Sequence, residues 1–185
     1  REIAEVKKRW PDRAMIVSIM VPCEEASWKA ILPRVEDTGA DGIELNFGCP
    51  HGMSERGMGS AVGQVPEYIK MVAEWCKQYS KLPVIVKLTP NITDIRYPAR
   101  AAKAGGADAV SLINTISSIV SVDLDNFAPM PTIDGKGSHG GYCGPAVTPN
   151  PAACRSPASA VFRHGVTRRN SSPSAAEPSR SAPRR

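Results

Sequence analysis

Short apolar runs alternate with amphipathic stretches between residues 15 and 113. The runs MIVSIM, VIVKL and AVSLI are rich in β-branched residues, which is typical of buried strands. GIELNF instead alternates, with Ile43, Leu45 and Phe47 apolar and Glu44 and Asn46 polar. The pattern therefore predicts four strands, at residues 15–20, 42–47, 84–88 and 109–113.

Three helices are predicted between these strands. Residues 24–36 place Ala26, Ile31 and Val35 on one apolar side. Residues 66–79 begin with Pro in the first turn and carry apolar residues with i, i+3, i+4, i+7 spacing, namely Ile69, Val72, Ala73 and Cys76. Residues 95–104 form the third helix, which two glycines end at 105 and 106.

Repeated strand-helix units predict an α/β fold with parallel strands and helices outside the sheet. Polar residues stand at or just past the carboxyl ends of three strands, at Asn46, Lys87 and Asn114. In (β/α) barrels the chemistry collects at that end. A complete eight-unit barrel takes about 250 residues, and only about four units are recognisable here. We therefore expect a partial (β/α)8 TIM barrel with strands missing on both sides and unpaired sheet edges.

Composition agrees with a folded domain that does not enter a membrane. The 185 residues are 42% hydrophobic and 22% charged, and no apolar run approaches the roughly 20 residues of a membrane-spanning helix. The five cysteines are odd in number and contain no C-x-x-C pair. This argues against a disulfide framework, a zinc ribbon and a ferredoxin-type cluster within the chain, and it favours a reducing, cytoplasmic location.

The net charge of +5 arises in the last 37 residues. Residues 1–148 carry 16 Lys and Arg against 17 Asp and Glu, whereas residues 149–185 carry 7 Arg against 1 Glu. That tail is rich in Pro, Ser and Ala and has no apolar period, so we expect it to be disordered, and we favour a non-native ending over a functional arm. The alternative is a non-catalytic protein with an arginine-rich nucleic-acid-binding tail, but no aromatic residues alternate with the arginines to stack on bases.

The densest group of reactive side chains is NFGCPHG at residues 46–52. It places an amide, a thiol and an imidazole directly after a strand. A free thiol is mostly protonated at neutral pH, so Cys49 could donate a proton or, if activated, attack as a nucleophile. The competing interpretation is a small buried hydrophobe, which we assign to Cys76 instead. His51 has no second ligand at metal spacing and is more typical of a loop residue.

Other candidate residues follow later strands. Lys87 interrupts an apolar strand, where an ammonium needs an anion or an electron-rich ring beside it unless it reaches water. Asn114 and Thr115 offer donors and acceptors suited to the edge of a heterocycle, or a helix N-cap. Residues 134–144 include five glycines, but they match neither a P-loop nor a dinucleotide-binding motif. They suit a backbone that approaches a flavin or an anion, or a flexible lid.

Four motifs in order, NFGCPHGMSERGMG, VKLTPNITDI, LINTISSI and GKGSHGGYCGPAV, resemble the flavin-containing domain of the dihydropyrimidine dehydrogenases. The likeness covers about residues 1–147, and it is strongest to the catalytic subunits of the bacterial NAD-dependent enzymes. The dihydroorotate dehydrogenases share two of these patterns and are the alternative family. The His-Gly pair after Cys-Pro favours pyrimidine reduction.

The resemblance implies an FMN-dependent oxidoreductase that reduces the C5=C6 bond of uracil or thymine. Cys49 would protonate C5 while reduced FMN delivers hydride to C6. The pyrimidine would lie between Asn46, Phe47 and Gly48 on one side and Asn114 and Thr115 on the other. Lys87 and Gly144 would contact the flavin.

The resemblance also implies parts that these 185 residues do not match. Electrons from NADH would pass through FAD and iron-sulfur clusters on a partner subunit or another segment. The family's upstream Asn-x-Glu pair and its later phosphate-binding loops have no counterpart here. We therefore expect residues 1–148 to be a partial FMN-dependent barrel domain with an incomplete flavin site, and residues 149–185 to be a separate tail.

Overall fold

The fold was analysed in a computed structural model, which describes residues 1–49, 57–119, 121–130, 132–133, 136–137, 140–143 and 160–163. The longer helices and the strands of the main sheet follow one another as α1 (Glu2–Arg9), β1 (Ile16–Ile19), α2 (Glu25–Glu36), β2 (Gly42–Phe47), α3 (Ser60–Gly63), α4 (Pro66–Tyr79), β3 (Val84–Leu88), α5 (Arg96–Ala104) and β4 (Ala109–Leu112). The four predicted strands and three predicted helices are all present, with ends that differ by one residue at most.

The strands form a parallel sheet whose order follows the sequence, β1-β2-β3-β4. In a doubly wound sheet the strand order reverses at a switch point, whereas in a (β/α) barrel each strand pairs with the next. The sequential order therefore confirms the α/β class and the partial-barrel architecture expected from the sequence.

One face of the sheet is apolar and covered by helices. Its core consists of alternate residues of β2 and β3, all at most 2% exposed: Ile43, Leu45, Phe47, Val84, Val86 and Leu88. The ring of Trp28 in α2 packs edge-on against Phe47, with centroids 6.3 Å apart. The residues between these point to the other face, which therefore carries Glu44, Asn46 and Lys87 together with Ile85.

The helices contribute complementary apolar sides. The predicted face of α4 is confirmed, since Ile69, Val72, Ala73 and Cys76 are fully buried. In α2 the prediction for Ala26 is wrong, because Ala26 is exposed and the buried face runs through Trp28, Leu32 and Val35. The larger side chains fill the space over the sheet and so set the rotation of the helix. Assigning Cys76 to the core is correct, and burial raises the pKa of its thiol to about 12.

The apolar pattern does not predict helix α1, which polar contacts attach to the sheet. It has no buried residue. The Lys7 ammonium lies 2.8 Å from an Asp41 carboxylate oxygen, which also accepts the Met15 N–H at 2.7 Å. Because Met15 and Asp41 precede β1 and β2, this helix lies at the amino-terminal edge of the sheet.

The chain beyond β4 adds short antiparallel pairs and one further parallel strand. The pairs join β5 (Ile116–Ser118) to β10 (Gly140–Tyr142), β6 (Ser121–Val122) to β7 (Pro129–Met130) and β8 (Thr132–Ile133) to β9 (Lys136–Gly137). Strand β11 (Ala160–Arg163) pairs with β4.

Strand β11 differs from the expectation of a tail without regular structure and of an unpaired edge at β4. An open sheet edge presents N–H and C=O groups that an extended segment satisfies. The other residues of 149–185 lie outside the described part of the chain, so their predicted disorder and the predicted domain boundary at 148 stay predictions.

Truncating Leu32 tests the importance of the helix-sheet core. Leu32→Ala removes a side chain that is 0% exposed, so we expect the free energy of unfolding to fall by about 2–5 kcal/mol. The exposed Arg34→Ala on the same helix is the control and should change it by at most about 0.5 kcal/mol. Urea unfolding followed by tryptophan fluorescence measures both, and equal effects would contradict this packing.

Asp108 generates a pH prediction. Burial of its carboxyl raises the pKa, but the Val84 N–H at 2.7 Å and the Lys77 ammonium at 2.9 Å outweigh burial and leave the pKa below its ordinary value. The stabilisation is therefore present above the unfolded-state pKa of about 3.9 and is lost as pH falls through the lower folded-state value.

Asp108→Asn should accordingly lower the free energy of unfolding at pH 7 by about 1 kcal/mol. The difference from the wild type should shrink as pH falls from about 5 towards 2. Urea unfolding at each pH measures it, with the exposed Asp12→Asn as control. A difference that stays constant over this range would refute the role of the Asp108 charge.

Candidate active site

The polar residues at the carboxyl ends of the strands come together as the sequence predicts. Asn46 of β2 is paired in register with Lys87 of β3, which is paired with Ser111 of β4. In a parallel sheet residues that are directly paired point to the same face, so these side chains share the face that is not covered by the helices. The sequence argument had placed two of them, Asn46 and Lys87, at this edge.

Two asparagine amides meet at this edge. Asn114 Nδ2 donates to Asn46 Oδ1 at 2.8 Å, and the Gly48 N–H donates to the same oxygen at 3.3 Å. Asn114 Oδ1 in turn accepts the Thr115 N–H at 2.8 Å. All three side chains are only half-buried. The described chain has no helix beginning at Asn114, so its amide serves this contact instead of capping a helix.

A glycine is required where the two segments touch. A Cβ on Gly48 would lie 2.3 Å from the Asn114 Cβ, far inside contact distance. The absence of a side chain at Gly48 therefore lets residues 46–49 approach 114–115.

Cys49 follows this contact by one residue and is half-buried. Its carbonyl accepts the Ser60 N–H at 3.1 Å. Gly59 has a positive φ of 59°, and a Cβ there would lie 3.3 Å from the Cys49 Cβ and 3.2 Å from Met20 Sδ. The thiol-bearing residue is thus held at the carboxyl edge between the ends of β1 and β2, with a glycine directly beside it.

The side chain of Phe47 points away from this edge. It is 2% exposed and belongs to the helix-facing core with Trp28. Any contact of Phe47 with a ligand at the edge therefore depends on its backbone. Gly144 and His51, two other residues of interest, lie outside the described residues.

Lys87 is neither unpaired nor extended into water. Its ammonium lies 3.4 Å from Glu44 Oε1, and the side chains of Lys87 and Glu44 are only 12% and 17% exposed. The same carboxylate oxygen accepts a hydrogen bond from Ser18 Oγ at 2.9 Å. The sequence argument recognised the polar position of Glu44 on β2 but gave it no role at the site.

A third asparagine, Asn91, supports the loop after β4, and sequence analysis did not identify it. Asn91 Nδ2 donates to the Thr115 carbonyl at 3.1 Å, and Asn91 Oδ1 accepts the Ser117 N–H at 2.8 Å. Gly141 of β10 covers Thr115, where an added Cβ would lie 2.9 Å from Thr115 Cβ. The signal for Asn91 was its place three residues after the end of β3, in the sequence LTPN.

Two other kinds of site are absent from the described residues. No group of three or more His, Cys, Asp or Glu side chains could hold a metal ion there. No helix within the described ranges is both long and apolar enough to cross a membrane.

Comparison with known proteins gives consistent results. The family model described as dihydroorotate dehydrogenase matches residues 1–155. The chain is 42% identical over 149 residues to a chloroplastic dihydropyrimidine dehydrogenase (NADP(+)) of Arabidopsis thaliana. It is 44% identical over 147 residues to the NAD-dependent dihydropyrimidine dehydrogenase subunit PreA of Escherichia coli K12.

A third relative is named as a dihydroorotate dehydrogenase. The catalytic subunit of dihydroorotate dehydrogenase B (NAD(+)) from Pyrococcus abyssi is 40% identical over 147 residues. Each of these three matches covers 80% of this chain, but 35% of the two dihydropyrimidine enzymes and 46% of the Pyrococcus protein. The chain thus spans a third to a half of the length of these relatives. The parallel sheet, the residues gathered at its carboxyl edge and the family match over residues 1–155 together show that the chain belongs to the dihydroorotate dehydrogenase family.

Proposed function

We propose that this chain carries the pyrimidine-binding part of a dihydropyrimidine dehydrogenase active site. The reaction is reduction of the C5=C6 bond of uracil or thymine to the 5,6-dihydropyrimidine. The observation that carries the proposal is the contact between the Asn46 and Asn114 amides at the carboxyl edge of the sheet, where Cys49 follows Asn46 by three residues. The two relatives named dihydropyrimidine dehydrogenase support this choice of substrate.

The amides suit the edge of a pyrimidine base, which alternates carbonyl acceptors with N–H donors. Asn46 Oδ1 already accepts two hydrogen bonds, which fixes the amide and directs its NH2 group to a ligand. Thr115 Oγ1 lies 3.4 Å from Asn114 Oδ1, so its hydroxyl can turn to a ligand with little loss. Gly48 and the backbone of Phe47 would border the base on the other side.

The donors at Lys87 fit a flavin. When bound, FMN would supply the hydride that reaches C6 of the base. An ammonium has three N–H donors, and the hydrogen bond of Lys87 to Glu44 is long at 3.4 Å. A positive charge held on this half-buried face suits the electron-rich ring of a reduced flavin. Lys87 would therefore hold the flavin ring, and Gly144 would approach it through its backbone.

Cys49 supplies the proton in this proposal. Its S–H group can donate a proton to C5 as hydride reaches C6. The S–H bond breaks, the C5–H bond forms, and the thiolate regains a proton from water after product leaves. A proton donor in the right position contributes roughly 10²–10⁴-fold to rate.

The electrons come from a nicotinamide nucleotide through a separate flavin and iron-sulfur relay on a partner subunit. The relative PreA is named as a subunit, which supports such a division of labour. Dihydroorotate dehydrogenation is the second candidate function, favoured by the family description and by the Pyrococcus relative. The two functions differ in substrate, since orotate carries a carboxylate that uracil lacks.

Replacing Cys49 tests the reaction. The chain is supplied with a large excess of FMN that has been reduced photochemically without oxygen, so that an incomplete flavin site is still occupied, and conversion of uracil to dihydrouracil is measured by mass spectrometry. Cys49→Ala should slow this by about 100-fold or more, whereas the exposed Cys143→Ala should not. Conversion of orotate in preference to uracil would favour the second function, and an unchanged rate in Cys49→Ala would refute the proton donor.

Labelling of the Cys49 thiol tests pyrimidine binding independently of flavin binding. Uracil alone should slow the alkylation of Cys49 by iodoacetamide, read by peptide mass spectrometry, because a base between the two loops covers the thiol. Cys143 is exposed and serves as an internal control that uracil leaves unchanged. Equal labelling of Cys49 with and without uracil would contradict the pyrimidine site.

The glycine at 48 gives a structural test of the same site. Gly48→Ala forces apart residues 48 and 114 and so breaks the contact between the amides. We expect the uracil concentration that half-protects Cys49 to rise about 10-fold. Gly42→Ala is the control, since its Cβ would meet mainly the end of the flexible Ile16 side chain. Equal effects of both variants would show that the amide contact does not matter for binding.

A further inference from the structure

Two charges lie on the face of the sheet that carries the site, below the asparagine amides. Glu44 and Lys87 stand on neighbouring strands, and both side chains are more than four-fifths buried. Ion pairs on exposed surfaces contribute little to the free energy of folding. An ammonium that is withdrawn from water needs a partner, however, and removing that partner destabilises the protein.

The register shows how Lys87 reaches this partner. Lys87 is paired directly with Asn46, while Glu44 is paired directly with Ile85, one layer deeper in the sheet. Two residues of a strand span about 6.6 Å. The Lys87 side chain therefore leans back towards Glu44, and its ammonium lies below the rim where the amides meet.

The carboxylate is itself fixed in place. Ser18 is paired directly with Glu44, and its hydroxyl donates to Glu44 Oε1 at 2.9 Å. The ammonium lies further from that oxygen, at 3.4 Å. Ser18 thus orients the carboxylate, which accepts one long hydrogen bond from the ammonium and leaves its other two N–H groups to a ligand.

We infer that Glu44 is a positioning residue that sets the depth of the Lys87 ammonium for an electron-rich ring bound above it. The inference rests on the proposed function, in which that ring is the flavin. Without Glu44 the ammonium would extend towards water at the rim. Glu44 therefore acts on the ligand through Lys87, without contacting the ligand itself.

Net charge alone predicts the opposite effect of removing Glu44 on FMN binding. FMN is an anion, so removing a carboxylate near its site would strengthen binding if only net charge mattered. Loss of a correctly placed donor would instead weaken binding. The sign of the change separates the two explanations.

FMN binding by the 185-residue chain, measured by quenching of flavin fluorescence, tests the inference with Glu44→Ala, Lys87→Met and the double variant. Glu44→Ala should raise the Kd for FMN about 3- to 10-fold, and in the Lys87→Met background it should add no further change. Glu36→Ala is the matched control, because Glu36 is also hydrogen-bonded, to Ser80, but lies at the opposite edge of the sheet. It should leave the Kd unchanged.

Tighter FMN binding by Glu44→Ala, or the same weakening with and without Lys87, would overturn the inference. Absence of quenching by the wild type would contradict the flavin site of the proposed function. In that case the interaction between Glu44 and Lys87 is tested without a ligand. The urea midpoints of the wild type, Glu44→Ala, Lys87→Met and the double variant are compared. Non-additive effects of the two substitutions would support Glu44 as the partner that holds Lys87, whereas additive effects would reject it.

Discussion

The structure depends on a sheet whose two faces have opposite chemistry. Alternation along β2 sends Phe47 and Leu45 into a dry core under α2 and α4, and it sends Asn46 and Glu44 to the other face. A shift of one residue in either strand pairing would exchange the two sets. Burial of the apolar face therefore fixes the register, and the register fixes which polar groups meet at the carboxyl edge.

That edge combines rigid support with unused hydrogen-bonding capacity. The two asparagine amides, Gly48 and Asn91 hold the loops after β2 and β4 together through a small network. Below them Glu44 and Lys87 provide a charged layer. A flat, polar heterocycle with a second ring beneath it suits such an arrangement, and this is the basis of the proposed pyrimidine reduction.

Local sequence was a good guide wherever one physical rule dominated. The apolar period of α4 identified all four buried residues, and polar residues at strand ends identified Asn46, Lys87 and Asn114. The prediction failed in α2, where Ala26 lies nine residues before Val35 and so faces the opposite side of the helix, whereas the buried Trp28, Leu32 and Val35 follow i, i+4, i+7 spacing. It also failed for α1, which buries no residue and is held by the Lys7–Asp41 ion pair.

The sequence by itself determined the strand-helix order, the core-facing positions and the set of polar residues at the carboxyl edge, because these follow from short-range periodicity and chain direction. Only the tertiary structure decided which of those residues touch. That Lys87 pairs with Glu44 and that Gly48 admits Asn114 depend on strand register and on contacts across 43 and 66 residues of chain. Such separations leave no local pattern, since the pairing arises only when packing brings the strands together.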